Sequence, residues 1–159
     1  MTIKNVTAAL AFDKRSGLFY FIKESERCPM EFRNEKHRKV FAEAAEKLDK
    51  KNYKLMSALY LLTADLKLWN AVKRFVVKNE IQFQYIHLNG STENGYTLYC
   101  AAKDLSLGTN NLSVCDLADT QLIPPKMFGL VCNAMAIRRF GLGAINYKQN
   151  KQKEKYQEE

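Results

Sequence analysis

No Cys-x-x-Cys pair, no glycine-rich phosphate loop and no bilayer-length apolar run occurs in this sequence of 159 residues. Each absence removes a class of function. The four cysteines stand at 28, 100, 115 and 132, far from His37 and His87, so the spacing of a zinc site is missing and no metal or other cofactor is expected. Cys100, Cys115 and Cys132 fall in helical patterns, where a reduced thiol acts as a small apolar group. The densest apolar block, Met56–Leu62, is far short of the roughly 20 residues that a membrane helix needs. Val6–Phe12 lacks a basic leader and runs straight into Asp13-Lys14-Arg15, so a secretory signal is not expected. The expectation is a cytoplasmic protein with no membrane partner. Nucleophile-elbow, Walker, dinucleotide and zincin motifs are missing as well. Acid–base work would fall to isolated residues such as His37, His87, Asp104, Asp116 or Asp119, and the three aspartates sit where they would cap or solvate helices. The sequence therefore reads as a protein that is not an enzyme.

Composition is that of a folded chain, 47% hydrophobic and 26% charged. The formal charge of +8 invites an anionic partner, yet the excess is spread along the chain without a dominant block. A nucleic-acid footprint concentrates its charge on one face. Two stretches would supply such a face if one exists: Lys36, Arg38 and Lys39 in one helix, and Lys67, Lys73, Arg74 and Lys78 along another.

The pattern predicts an α+β, mainly α-helical fold. Residues 6–22 alternate and then turn at DKRSG into LFYFI, the signature of a β-hairpin. Cys28-Pro29 breaks the chain, so three regions are expected: an N-terminal hairpin extension over 1–29, a helical core domain over 30–147 and a charged flexible tail over 148–159. Asn34 should cap a helix over 35–50, in which His37 faces the apolar stripe and packs. A second helix, 54–64, is apolar on most sides and should be central. Asp65 should cap a third over 66–78. IQFQY at 81–85 alternates, so a strand over 81–88 is expected to pair with the N-terminal hairpin in a small antiparallel sheet. A fourth helix should span 94–107 and stop at Gly108.

Residues 112–141 have the outline of a helix-turn-helix. Ser113 and Asp116 form a capping box, Pro124-Pro125 start the second helix and Gly141 ends it. Base reading needs polar side chains along the exposed side of that helix. Between Met127 and Ile137 only Asn133 is polar. An apolar circumference predicts a helix buried on all sides, the centre of the fold, in which Met135→Lys would unfold the protein.

The order HRKVF (37–41), ALYLLTAD (58–65), YTLYCAAKDLSLGT (96–109), LSVCDLAD (112–119) and NAMAIRRFG (133–141) resembles a family of short uncharacterised proteins from phages and mobile elements of Gram-positive bacteria, over about 31–141. The resemblance implies an accessory protein and carries over no catalytic residues. The expected function is non-enzymatic binding to a bacterial protein or nucleoprotein machine, with a host-defence inhibitor as one form. The alternative is sequence-independent DNA or RNA binding through the basic helix surfaces named above.

Overall fold

Side-chain caps set where the helices begin. Asn34, Asn52, Asp65, Thr92 and Ser113 each accept a hydrogen bond from a backbone N–H in the first turn of the helix that follows. A computed structural model describes residues 9–13, 18–22 and 32–144, and the chain divides into two units, 1–30 and 31–159. In the first, β1 (Ala9–Asp13) and β2 (Leu18–Ile22) pair antiparallel, with Ala11 opposite Tyr20. The expected tail at 148–159 lies outside the described residues.

The second unit contains α1 (Glu35–Glu46), α2 (Tyr53–Thr63), α3 (Leu66–Val72), a small hairpin of β3 (Val76–Val77) and β4 (Glu80–Ile81), α4 (Glu93–Leu107), α5 (Val114–Ala118) and α6 (Pro125–Phe140). The fold is mainly helical with small antiparallel pairings. Its centre is α2, where every side chain from Leu55 to Ala64 is buried. Each large apolar side chain there contributes roughly 1.5–3 kcal/mol of gross stabilisation.

Named contacts fix how the other helices lie on α2. His37, near the start of α1, reaches the carbonyl of Tyr60 near the end of α2. Asn133 in α6 meets the Tyr60 hydroxyl, whereas Gly141, just past α6, lies against the Tyr53 ring. Arg138 donates to the carbonyl of Leu105, which joins the C-terminal ends of α6 and α4. So α1, α4 and α6 all run opposite to α2. Gly141 has φ +79, and an added Cβ would lie 2.7 Å from the Tyr53 ring, so close approach and backbone conformation both require glycine there.

Three expectations need correction. The C-terminal helix is not buried on all sides: Met127, Leu130, Val131, Ala134 and Ile137 form its buried stripe, while Phe128 and Met135 are 43% and 40% exposed. Apolar composition all round α6 reflects two different apolar faces, only one of which meets α2. Nor is 81–88 a strand paired with β1 or β2. Ile81 and Glu80 pair with Val76 and Val77, and residues 83–85 form a 3-10 turn. The alternation still marks burial, since Ile81, Phe83 and Ile86 face inward. Phe83 packs its ring 5.7 Å from Tyr99 in α4, so the apolar residues are satisfied by a helix instead of by a neighbouring strand. The third helix likewise stops at Val72, six residues before the expected end at Lys78. Beyond it come a 3-10 turn and two β-branched valines that suit an extended strand.

Candidate functional site

The titratable groups nearest the core are engaged in structure. His37 is 2% exposed. Its Nδ1 accepts from the Arg33 backbone N–H at 3.0 Å, and Nε2 lies 2.7 Å from the Tyr60 carbonyl oxygen, to which it donates. Burial pushes its pKa down to about 4; the hydrogen bond to Tyr60 opposes that and the Arg33 charge adds to it. A neutral ring with both nitrogens held by backbone has no lone pair to offer a substrate. Tyr60 ties the same network to α6, because its hydroxyl accepts from Asn133 Nδ2 at 3.0 Å. Burial pushes that hydroxyl up to about 12.

The aspartates serve caps and loops. Asp104 accepts from Thr109 Oγ1, from the backbone N–H groups of Asn111 and Leu112, and from Asn111 Nδ2, holding the loop after α4. Desolvation raises its pKa, but these bonds outweigh it and leave the carboxylate below its ordinary range. Asp116 completes the capping box with Ser113, and Asp119 accepts from the Gln121 N–H. Among the described residues no group of three or more His, Cys, Asp or Glu side chains could hold a metal. A depression beside Asp65, Lys67, Asn89 and Thr92 is lined by caps already in use: Asp65 accepts from Leu68 N–H and Thr92 from Gly95 N–H.

The basic residues singled out from sequence do not form one face. Arg33 Nη1 reaches the Ala64 carbonyl at 3.1 Å, which places the start of α1 beside the end of α2. Lys36, Arg38, Lys39 and Lys67 therefore stand at that end. Arg38 pairs with Glu35 at 3.5 Å and lies over the Phe32 ring. Lys73 and Arg74 occupy the 3-10 turn after α3, with the Arg74 guanidinium 4.7 Å over Phe75. Lys78 stands at the tip of the β3–β4 hairpin, and that tip folds back on the beginning of α2. The Asp49 N–H donates to Asn79 Oδ1 at 2.7 Å, and Asn52 Nδ2 donates to the Asn79 carbonyl at 3.4 Å. An 11-residue helix is about 16 Å long, so α2 separates the two groups by roughly that distance.

Sequence reasoning missed the residues that the hairpin joins. Lys47, Lys50, Lys51 and Lys54 all lie in or beside the α1–α2 turn and are exposed. The density of lysine over 47–54 could have marked them, but a helix drawn to residue 50 assigns Lys47 and Lys50 to an ordinary solvated face.

One exposed patch is apolar. Along the outer side of α6, Phe128, Cys132 and Met135 stand at i, i+4 and i+7, one stripe of the helix. Cys132 is half-buried and Cys115 on α5 is exposed, so the latter is no core thiol. Val114, beside it, is 82% exposed. This outer side offers no row of polar groups for base edges, which weighs against the helix-turn-helix outline on grounds other than burial. No helix among the described residues is long and apolar enough to cross a membrane. Comparison with protein-family models, curated proteins and solved structures gave no match.

Proposed function

We propose that this is a non-enzymatic binding protein, an accessory factor of a phage or mobile element that engages a bacterial protein or nucleoprotein machine through the outer face of α6. A host-defence inhibitor is one form of such a factor. The observation that carries the reading is the exposed Phe128–Cys132–Met135 stripe on a helix whose opposite stripe is packed on α2. Scattered apolar residues on a surface need no explanation, but a contiguous apolar face marks an interaction site. Aromatic residues and methionine are also the types enriched at interface centres. The bound state of His37 and the aspartates supports binding over catalysis. The origin in a mobile element rests on the motif resemblance over 31–141.

Affinity capture from a bacterial lysate tests the reading, with nuclease treatment and with the double variant Phe128→Glu, Met135→Glu. A protein partner retained after nuclease and lost in the double variant, whose helical circular dichroism is unchanged, is the expected result. Capture that survives the double substitution, or no partner at all, contradicts it.

A further inference from the structure

We infer that Asn89 is a site of self-catalysed deamidation, where the Asn89-Gly90 peptide passes through a cyclic imide to an aspartyl or isoaspartyl residue. The inference is independent of the α6 stripe and of any partner bound there.

Asn-Gly occurs twice in the sequence, at 89–90 and at 94–95, and the fold decides which pair reacts. The first pair lies in the connection between the 3-10 turn at 83–85 and α4, in neither helix nor strand, and both of its residues are exposed. Gly90 has φ +69, and an added Cβ there would meet nothing within 4 Å, so the chain beside the attacking nitrogen is unhindered. Among the described residues no hydrogen bond holds the Asn89 amide or the Gly90 N–H. The second pair sits in the first turn of α4. There Gly95 is buried, its N–H donates to Thr92 Oγ1 at 3.0 Å, and the helical backbone keeps that nitrogen from closing on the Asn94 side chain.

The reaction needs only water. When hydroxide takes the Gly90 amide proton, the nitrogen attacks Cγ of Asn89. A C–N bond forms, the Cγ–Nδ2 bond breaks, and Nδ2 leaves as ammonia after taking up protons from water. Water then opens the imide at either carbonyl carbon. Opening at Cγ gives aspartate; opening at the main-chain carbon gives isoaspartate, whose chain runs through the former side chain. In balance one water is consumed and one ammonia released. Either product carries a new carboxylate, so the formal charge falls by one from +8. That carboxylate enters the depression lined by Asp65, Lys67 and Thr92, just ahead of α4, where the helix dipole favours negative charge. The product should therefore stay folded.

Incubation of the full chain in mildly alkaline buffer, sampled against a zero-time control, tests this. Cation-exchange chromatography reads the charge, and tandem mass spectrometry of the tryptic peptide 79–103, which holds both pairs, locates the change. In the folded protein Asn89 should convert to both isomers while Asn94 keeps its amide, and a species with one positive charge fewer should accumulate. In denaturant both asparagines should convert, at similar rates. Asn89→Gln, folded by circular dichroism, should lose the new species. An Asn89 that keeps its amide in the folded protein overturns the inference, as does equal conversion of Asn89 and Asn94 there. Aspartate formed without isoaspartate marks direct hydrolysis and overturns the imide route.

Discussion

The backbone N–H of Asp49 donates to Oδ1 of Asn79 across 2.7 Å and, with the bond from Asn52 Nδ2 to the Asn79 carbonyl, joins two segments about 30 residues apart. It fixes the hairpin tip against the start of the central helix. Together the two bonds give Lys78 a defined place beside the lysines of 47–54.

Asn79→Gly removes the side-chain acceptor but keeps a residue at ease with φ +64. The expected cost is about 0.5–1 kcal/mol, the worth of an exposed hydrogen bond. Asn79→Ala adds backbone strain and should cost about 1 kcal/mol more. Denaturant unfolding of both variants separates the two contributions, and equal stability would show that the conformation of residue 79 is unimportant.

His37 makes stability depend on pH in a defined window. Unfolded, the ring takes up a proton near 6.5; folded, it resists until about 4. Between those values the unfolded chain binds more protons, so stability should fall as pH drops from about 6.5 to about 4 and level off below. The whole window amounts to about 3 kcal/mol. His37→Gln, which can still donate to the Tyr60 carbonyl, should flatten that part of the profile even if it lowers stability overall. An unchanged slope in the variant would assign the acid sensitivity elsewhere.

Much of this architecture was legible because short-range chemistry dictates it. Asn34, Asp65, Ser113 and Pro125 begin helices where their side chains or ring geometry favour a first turn, and Gly108 ends one with φ +73. The centrality of α2 and the packing of His37 were also readable from periodicity. What periodicity does not carry is the partner on each face. Alternation at Ile81 and Phe83 reports burial, not strand pairing, and the apolar circumference of α6 does not say which side meets α2. The basic end was hidden for a related reason. Its lysines over 47–54 form a local run, but Lys78 is brought beside them by Asn79 from a distant segment, and no local pattern contains that meeting.

Two glycines of α6 and its end should respond oppositely to alanine. At Gly141 a Cβ would lie 2.7 Å from the Tyr53 ring on a backbone with φ +79, so Gly141→Ala should destabilise by roughly 1–3 kcal/mol. Gly129 is exposed within the helix and a Cβ there meets nothing within 4 Å. Gly129→Ala should stabilise by about 0.5–1 kcal/mol through helix propensity. Thermal melts read both, and the same sign in both would contradict the placement of α6.

The central claim is that α6 turns an apolar face to solvent, and Met135→Lys tests it most directly. Met135 is 40% exposed, whereas Ile137 is fully buried on the opposite stripe. Circular dichroism melting of the two lysine variants should show Met135→Lys folded within a few degrees of the parent, since surface changes stay near ±0.5 kcal/mol. Ile137→Lys should unfold, because it buries an unpaired charge. If Met135→Lys unfolds as well, α6 is enclosed on all sides and the proposed docking face does not exist.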